Sequence, residues 1–224
     1  MTFAANPAYR LTAKTLAVVY IPAVVLLSMT VLTSIVAGLP LAIFSRDPMA
    51  TLNGHPLTGA QSTVGVLIWC ASVAICLFSA AMLQAAGNRT VLARFFACSA
   101  AVTLLLALDD LFLVHDDLAE RYLRVGEKPV LLVYGALVGS YLLYFRQVIL
   151  SSHYTLLVLA LLFFGGSVGV DFLQGRWLSP LRIFFEDGLK LLGIVSWSAY
   201  FIQACFHSVG ASAEPLRGLR EEGA

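Results

Sequence analysis

Long apolar runs alternate with short polar segments along this chain, and the runs have the length of membrane-crossing helices. A helix needs roughly 20 apolar residues to cross the hydrocarbon core of a bilayer. Six hydrophobic segments of about this length can be drawn, at residues 15–36, 63–83, 94–114, 129–149, 154–174 and 180–207. We therefore predict an all-α, polytopic membrane protein. Residues 1–224 are expected to form a single domain, a compact bundle of six transmembrane helices.

Composition supports this class and excludes others. The mean hydropathy is +0.86 and 12% of the residues are charged, about half the charged fraction of a soluble domain. The net charge of +1 offers no basic surface for nucleic acid. The four cysteines lie within apolar runs without CxxC spacing, which argues against a disulfide framework or a zinc cluster. The lipid bilayer is the one partner that composition identifies.

The basic residues give a prediction for orientation. Six crossings place both termini on one side of the membrane, and the 14 Lys and Arg residues divide equally between the two sides. Arg10 and Lys14 precede the first helix, whereas Arg46 alone follows it closely. Because the first helix usually dominates topology, we expect a multi-pass protein of the cell membrane with both termini in the cytoplasm.

Acidic residues are distributed unequally between the two sides. Of the 13 acidic residues, only Glu214, Glu221 and Glu222 fall on the side of the termini. On the opposite side, three apolar runs end early in carboxylates, at Asp109-Asp110, Asp171 and Asp187. Antiparallel threading brings these ends to the same face at a similar depth. A carboxylate at such a depth costs about 2.5–3.5 kcal/mol and is usually functional.

These acids form the candidate site. We predict that Asp109, Asp110, Asp171 and Asp187 hold a cation, with His115 as a fifth member if another element supplies further ligands. Oxygen ligands suit Mg²⁺, Ca²⁺ or Mn²⁺ better than zinc. At 100° per residue along one helix, His115 would point about 120° away from Asp109. No two histidines are four residues apart, which argues against a ligand pair on one helix face.

Two further patterns predict structural contacts. Charged pairs at i,i+4 spacing predict ion pairs along helices: Asp117–Arg121, Glu120–Arg124 and Glu186–Lys190. Glycines four residues apart predict close contact between helices, and they occur as Gly135/Gly139 and Gly165/Gly169.

Three functions fit this pattern. The first is a membrane protein that binds or conducts a cation or proton through a carboxylate-lined cavity on the non-cytoplasmic side. The second is a metal-dependent intramembrane enzyme acting on a lipid-like substrate, with His115 as acid or base; it predicts a cleft open laterally to lipid. The third is a scaffold or assembly protein in which ion pairs satisfy every acid. The first is preferred because oxygen ligands dominate.

Overall fold

The protein is helical throughout the part of the chain that the computed structural model describes, namely residues 13–46, 48–55, 57–87, 91–172 and 179–221. This confirms the all-α prediction. In chain order the elements are α1 (Ala13–Ala37), α2 (Ala42–Ser45), α3 (Pro48–Leu52), α4 (Ala60–Ala85), α5 (Val91–Phe112), a π-helical segment (Val114–Leu123), α6 (Glu127–Tyr144), α7 (Arg146–Leu150), α8 (Thr155–Phe172) and α9 (Ser179–Glu221).

Within the described residues, three stretches are long and apolar enough to cross a membrane. They are Ala60–Ala85, Val91–Phe112 and Ile183–Ser208, which correspond to α4, α5 and the first two thirds of α9. Two shorter apolar helices cover Ala23–Ala37 and Thr155–Val170. Length and composition therefore support association with a membrane.

The chain forms two compact units, residues 1–58 and 59–224. The first contains α1, whose apolar side chains, such as Leu26 and Ile35, are largely exposed. The second contains a packed core and all of the candidate site residues. The single-domain arrangement stays a prediction.

The core of unit 59–224 forms where α4 packs against α5 and α9, and where α8 packs against α9. Trp69 of α4 stacks on Phe164 of α8 and meets the edge of Trp197 of α9. A side chain at Gly193 would place its Cβ 2.6 Å from the Phe164 ring, so this glycine permits the close approach of α8 to α9.

Buried hydroxyl groups add hydrogen bonds between these helices. Ser72 of α4 donates to Ser198 of α9 at 2.6 Å. The indole N–H of Trp197 donates to the Thr103 hydroxyl of α5 at 3.0 Å. Each group is satisfied within the core, as buried polar groups generally are. These bonds fix α9 relative to α4 and α5, and α9 in turn carries Asp187 of the candidate site.

Candidate functional site

Asp109 and Asp110 lie near the carboxyl end of α5 and are almost completely buried. Asp109 is 7% exposed and Asp110 is 5% exposed. No other acidic residue in the described part of the chain is buried. Adjacent helical residues point about 100° apart. The two carboxylates therefore meet different neighbours.

The helix that carries them stops abruptly. Leu113 has φ 51° and ψ 47°, a left-handed conformation, and the π-helical segment that follows ends at Arg124 with φ 56°. A left-handed conformation costs an L-residue with a side chain roughly 1–2 kcal/mol. Both ends of the π-helical segment have this conformation, so tertiary interactions must hold the segment in place.

His115 provides such an interaction by folding back onto Asp109. Its backbone N–H donates to Oδ1 of Asp109 at 3.0 Å, and its Nδ1 lies 2.5 Å from Oδ2. The phenol of Tyr134 on α6 interacts with the same carboxylate. The predicted direction of His115, away from Asp109, was wrong because α5 does not continue past Phe112.

Leu113 allows a test of this strained turn. We expect Leu113→Gly to leave stability unchanged or raise it by about 1 kcal/mol, because glycine adopts positive φ without steric cost. Leu111→Gly, two residues earlier and similarly exposed, should lower stability by about 1 kcal/mol, because it places glycine within a helix. Unfolding in detergent micelles measures both variants. Equal destabilisation would show that Leu113 is not strained.

Asp110 forms an ion pair with Lys190 of α9, between the Oδ1 and Nζ atoms. Oδ1 of Asp110 has no donor in hydrogen-bonding geometry among the described residues, so Lys190 acts on it as a charge. The predicted pairing of Lys190 with Glu186, one turn earlier on the same helix, stays a prediction. The ion pair with Asp110 joins α5 to α9 beside the Asp109–His115 pair.

A cavity of 560 Å³ opens beside these groups, and we name it the lateral cleft. It lies between α6 on one side and α8 and α9 on the other, with the end of α5 and His115 closing one end. Its polar wall consists of Asp109, His115, Glu127, Tyr134, Ser167, Glu186, Asp187 and Lys190. Its apolar wall consists of Leu106, Leu131, Val138, Leu142, Leu161, Phe164, Val168 and Trp197. The cleft is therefore amphipathic, and its volume suits a small organic molecule.

Three of the four paired glycines line this cleft, and none of the four marks a helix contact. Gly135, Gly139 and Gly165 are part of its wall. A Cβ added at these positions, or at Gly169, would meet no atom of another element within 4 Å. The predicted contact was wrong because these glycines widen a gap between α6 and α8. It is Gly166, outside the pairs, that faces Leu189 of α9.

Asp187 is the carboxylate of the cleft that has no hydrogen-bonding or ion-pair partner among the described residues. It is exposed, and it lies in Ile183–Ser208, one of the stretches that are long and apolar enough to cross a membrane. The neighbouring turn is anchored by Ser167, whose hydroxyl donates to the backbone carbonyl of Glu186 at 2.9 Å. Asp187 is thus placed by a fixed turn and available to a bound molecule.

The predicted site residues are partly brought together. Asp109, His115 and Asp187 share the lateral cleft, whereas Asp110 and Asp187 line a neighbouring pocket of 40 Å³. Asp171 lies in the last turn of α8, but its side chain falls outside the described residues. Nowhere in the described ranges do three His, Cys, Asp or Glu side chains come close enough to hold a metal ion. The predicted surface pair Asp117–Arg121 is confirmed at 3.0 Å.

Tyr134 is the site residue that the sequence did not indicate. It lies within an apolar run between Val133 and Gly135, where a tyrosine is usually a packing or interface residue. Its contact with Asp109 depends on α6 packing against the π-helical segment. Only the fold reveals this arrangement.

Comparison with known proteins identifies a family but no activity. The family model described as Domain of unknown function (DUF8692) matches residues 16–204. No curated protein and no solved structure matches the chain significantly.

Proposed function

We propose that this chain, which belongs to the family described as Domain of unknown function (DUF8692), binds an amphipathic cation in the lateral cleft. The ligand class is a molecule with a positively charged amine or ammonium head and an apolar tail. The observation that carries the proposal is the cleft itself, where carboxylates and an apolar wall share one cavity of 560 Å³.

The charges of the polar wall favour a cationic head. Asp109, Asp187, Glu127 and Glu186 line the cleft, against His115 and Lys190. The charge of Lys190 is already compensated by Asp110, which lies outside the cleft. Asp187 then has no cation opposite it among the described residues. The half-buried ring of Phe164 on the wall can add cation–π attraction.

The remaining wall favours an apolar tail. Leucine, valine and phenylalanine side chains of α6 and α8 face the cavity. Gly135 and Gly165 at the boundary of the cleft are exposed, so no side chain closes the gap there. In a bilayer this gap would face lipid, and a ligand could enter sideways from the membrane. A purely hydrophilic ion would not need such a wall.

The membrane arrangement forms part of the same proposal. We retain the six crossings of α1, α4, α5, α6, α8 and α9, with both termini in the cytoplasm and the cleft towards the non-cytoplasmic face. The apolar character of α4, α5 and α9 supports this arrangement. A reporter fused to the C terminus should be active only when it is a cytoplasmic reporter, and the reverse result would contradict it.

Photolabelling tests the occupancy of the cleft. We expect an alkylamine carrying a photoreactive diazirine in its tail to label peptides from residues 131–142 and 161–168 in lipid nanodiscs. Gly139→Leu should reduce labelling at least tenfold, because the added side chain fills the cleft and no other element lies within 4 Å to clash with it.

Gly169→Leu is the matched control. Gly169 is equally unobstructed but does not line the cleft, so labelling should be unchanged. Equal effects of the two substitutions, or labelling spread evenly over the helices, would contradict a specific site. An uncharged alcohol with the same tail reports how much of the labelling depends on the charged head.

A second candidate function is acid–base chemistry on the bound molecule. The Asp109–His115 pair favours it, because a carboxylate at 2.5 Å from Nδ1 orients the imidazole and supports its protonated form. Proton exchange with a ligand would then use Nε2.

A divalent cation held by Asp109, Asp110, Asp171, Asp187 and His115 stays a hypothesis. It would have to compete with His115 for Asp109 and with Lys190 for Asp110.

A further inference from the structure

A second cavity, of 780 Å³, lies at the opposite ends of α5 and α9 from the lateral cleft. The start of α5, the end of α7 and the later turns of α9 form its walls. Its polar lining consists of Ser151, Ser152, His153, Gln203, His207 and Ser208, together with the Tyr200 hydroxyl. We name it the two-histidine cavity. None of the described residues that line it is acidic, so it differs chemically from the lateral cleft.

The fold brings together two histidines that are 54 positions apart in sequence. The ring centroids of His153 and His207 lie 6.3 Å apart, and the ring planes are inclined by 51°. His153 belongs to the connection between α7 and α8, and His207 belongs to α9. The absence of i,i+4 spacing argued only against a pair on one helix. It could not indicate a pair formed between two elements.

The connection that carries His153 is fixed to α9. The Ser152 hydroxyl donates to the backbone carbonyl of Ile149 at 2.7 Å and makes a 2.9 Å hydrogen bond with the Tyr200 hydroxyl. Tyr200 is 1% exposed, so this anchor lies within the core. His153 directly follows the anchored residue. These hydrogen bonds therefore hold the connection that carries His153 beside α9, which carries His207.

The separation of the rings approaches that of two ligands on one metal ion. Metal–nitrogen bonds to histidine measure about 2.0–2.1 Å, so two imidazoles on one ion have centroids roughly 5–6 Å apart. The observed 6.3 Å lies just beyond this range, within reach of a small side-chain rotation. Both histidines are exposed to the cavity or its mouth. An ion can therefore reach them.

We propose that His153 and His207 bind a first-row transition-metal ion in the two-histidine cavity. Neutral imidazole suits Cu²⁺, Ni²⁺ and Zn²⁺, whereas Mg²⁺ and Ca²⁺ prefer oxygen. The two histidines leave further coordination positions open to water or to a small ligand within the 780 Å³ cavity. The proposal is independent of the lateral cleft, because the two cavities share no lining residue.

Copper binding tests the proposal on the full chain, purified in detergent through a tag that contains no histidine. Electron paramagnetic resonance of one equivalent of Cu²⁺ should show coordination by two imidazole nitrogens. His153→Ala and His207→Ala should each lower the affinity for Cu²⁺ at least tenfold and remove the two-nitrogen signal. His55→Ala, another exposed histidine, should change neither. Circular dichroism confirms that each variant remains helical.

A stability measurement keeps the test decisive if an alanine variant folds poorly. His207→Gln keeps the size of the side chain and removes a strong ligand. Zn²⁺ should raise the unfolding temperature of the wild type in proportion to the logarithm of its concentration, and it should not raise that of His207→Gln. Unchanged Cu²⁺ coordination in both alanine variants, or equal Zn²⁺ stabilisation of wild type and His207→Gln, would overturn the proposal.

Discussion

Replacing Lys190 with methionine is expected to destabilise the protein by about 3 kcal/mol. Asp110 is 5% exposed and pairs with Nζ of Lys190, and removal of one partner leaves a buried charge without compensation. Methionine preserves the length and apolar body of the lysine side chain. The loss therefore reflects charge and not packing. Unfolding of the purified protein in bicelles, followed by circular dichroism, measures it.

Two controls separate the buried pair from surface electrostatics. Arg121→Met breaks the Asp117–Arg121 pair, whose side chains are 65% and 57% exposed, and should change stability by less than 0.5 kcal/mol, roughly the value of an exposed pair. The double variant Asp110→Asn/Lys190→Met should recover part of the stability lost in Lys190→Met. If Lys190→Met cost no more than Arg121→Met, Asp110 would not depend on Lys190.

The helices were predictable because apolar runs of sufficient length admit few other structures. The boundaries of predicted segments 63–83 and 94–114 fall within three residues of those of α4 and α5. The burial of Asp109 and Asp110 was also predictable, since both follow an apolar run without a break. Length and hydropathy act locally along the chain, so the sequence displays them directly.

The pairing of His115 with Asp109 was not predictable from the same information. Leucine is a residue that avoids the left-handed conformation, and no glycine, proline or asparagine marks the break at Leu113. The α-helical angle of 100° per residue then fails for the π-helical segment that follows, which closes with hydrogen bonds five residues apart. An interpretation based on periodicity therefore placed His115 on the wrong side.

The two-histidine cavity and the lateral cleft could not be predicted from the sequence, for another reason. Both depend on which helices are neighbours, and an antiparallel threading of helices fixes their direction but not their order around a bundle. The same spacing of glycines is compatible with contact between two helices and with a gap between them. Gly193 makes the contact, with Phe164, and it belongs to neither glycine pair.

Neutralising Asp109 and Asp187, two of the carboxylates that line the lateral cleft, is expected to weaken binding of an amphipathic cation about a hundredfold. A hydrogen bond to a charged group contributes roughly 1.5–3 kcal/mol, and 1.4 kcal/mol corresponds to a factor of ten in affinity. Asp187→Asn and Asp109→Asn should therefore each weaken binding about tenfold. The double variant combines the losses. Asparagine keeps the size and an oxygen acceptor, so the change isolates charge.

The measurement compares a long-chain primary alkylammonium with the alcohol of equal chain length, by competition against the photoreactive alkylamine. Affinity for the ammonium should fall and affinity for the alcohol should change less than threefold. Asp117→Asn is the matched control, since Asp117 lies in the π-helical segment but pairs with Arg121 and does not line the cleft. Equal losses for ammonium and alcohol would contradict a role for charge.

Inorganic ions distinguish the proposed ligand from the metal hypothesis at the same carboxylates. If the cleft selects an organic cation, millimolar Mn²⁺ or Mg²⁺ should displace little of the bound alkylamine, because Asp109 and Asp110 are already engaged by His115 and Lys190. Displacement at micromolar Mn²⁺, lost in Asp187→Asn, would instead assign these acids to a divalent cation. The apolar wall separates the two cases, since an oxygen-ligated ion gains nothing from Leu142 or Phe164, whereas an alkyl tail packs against both side chains.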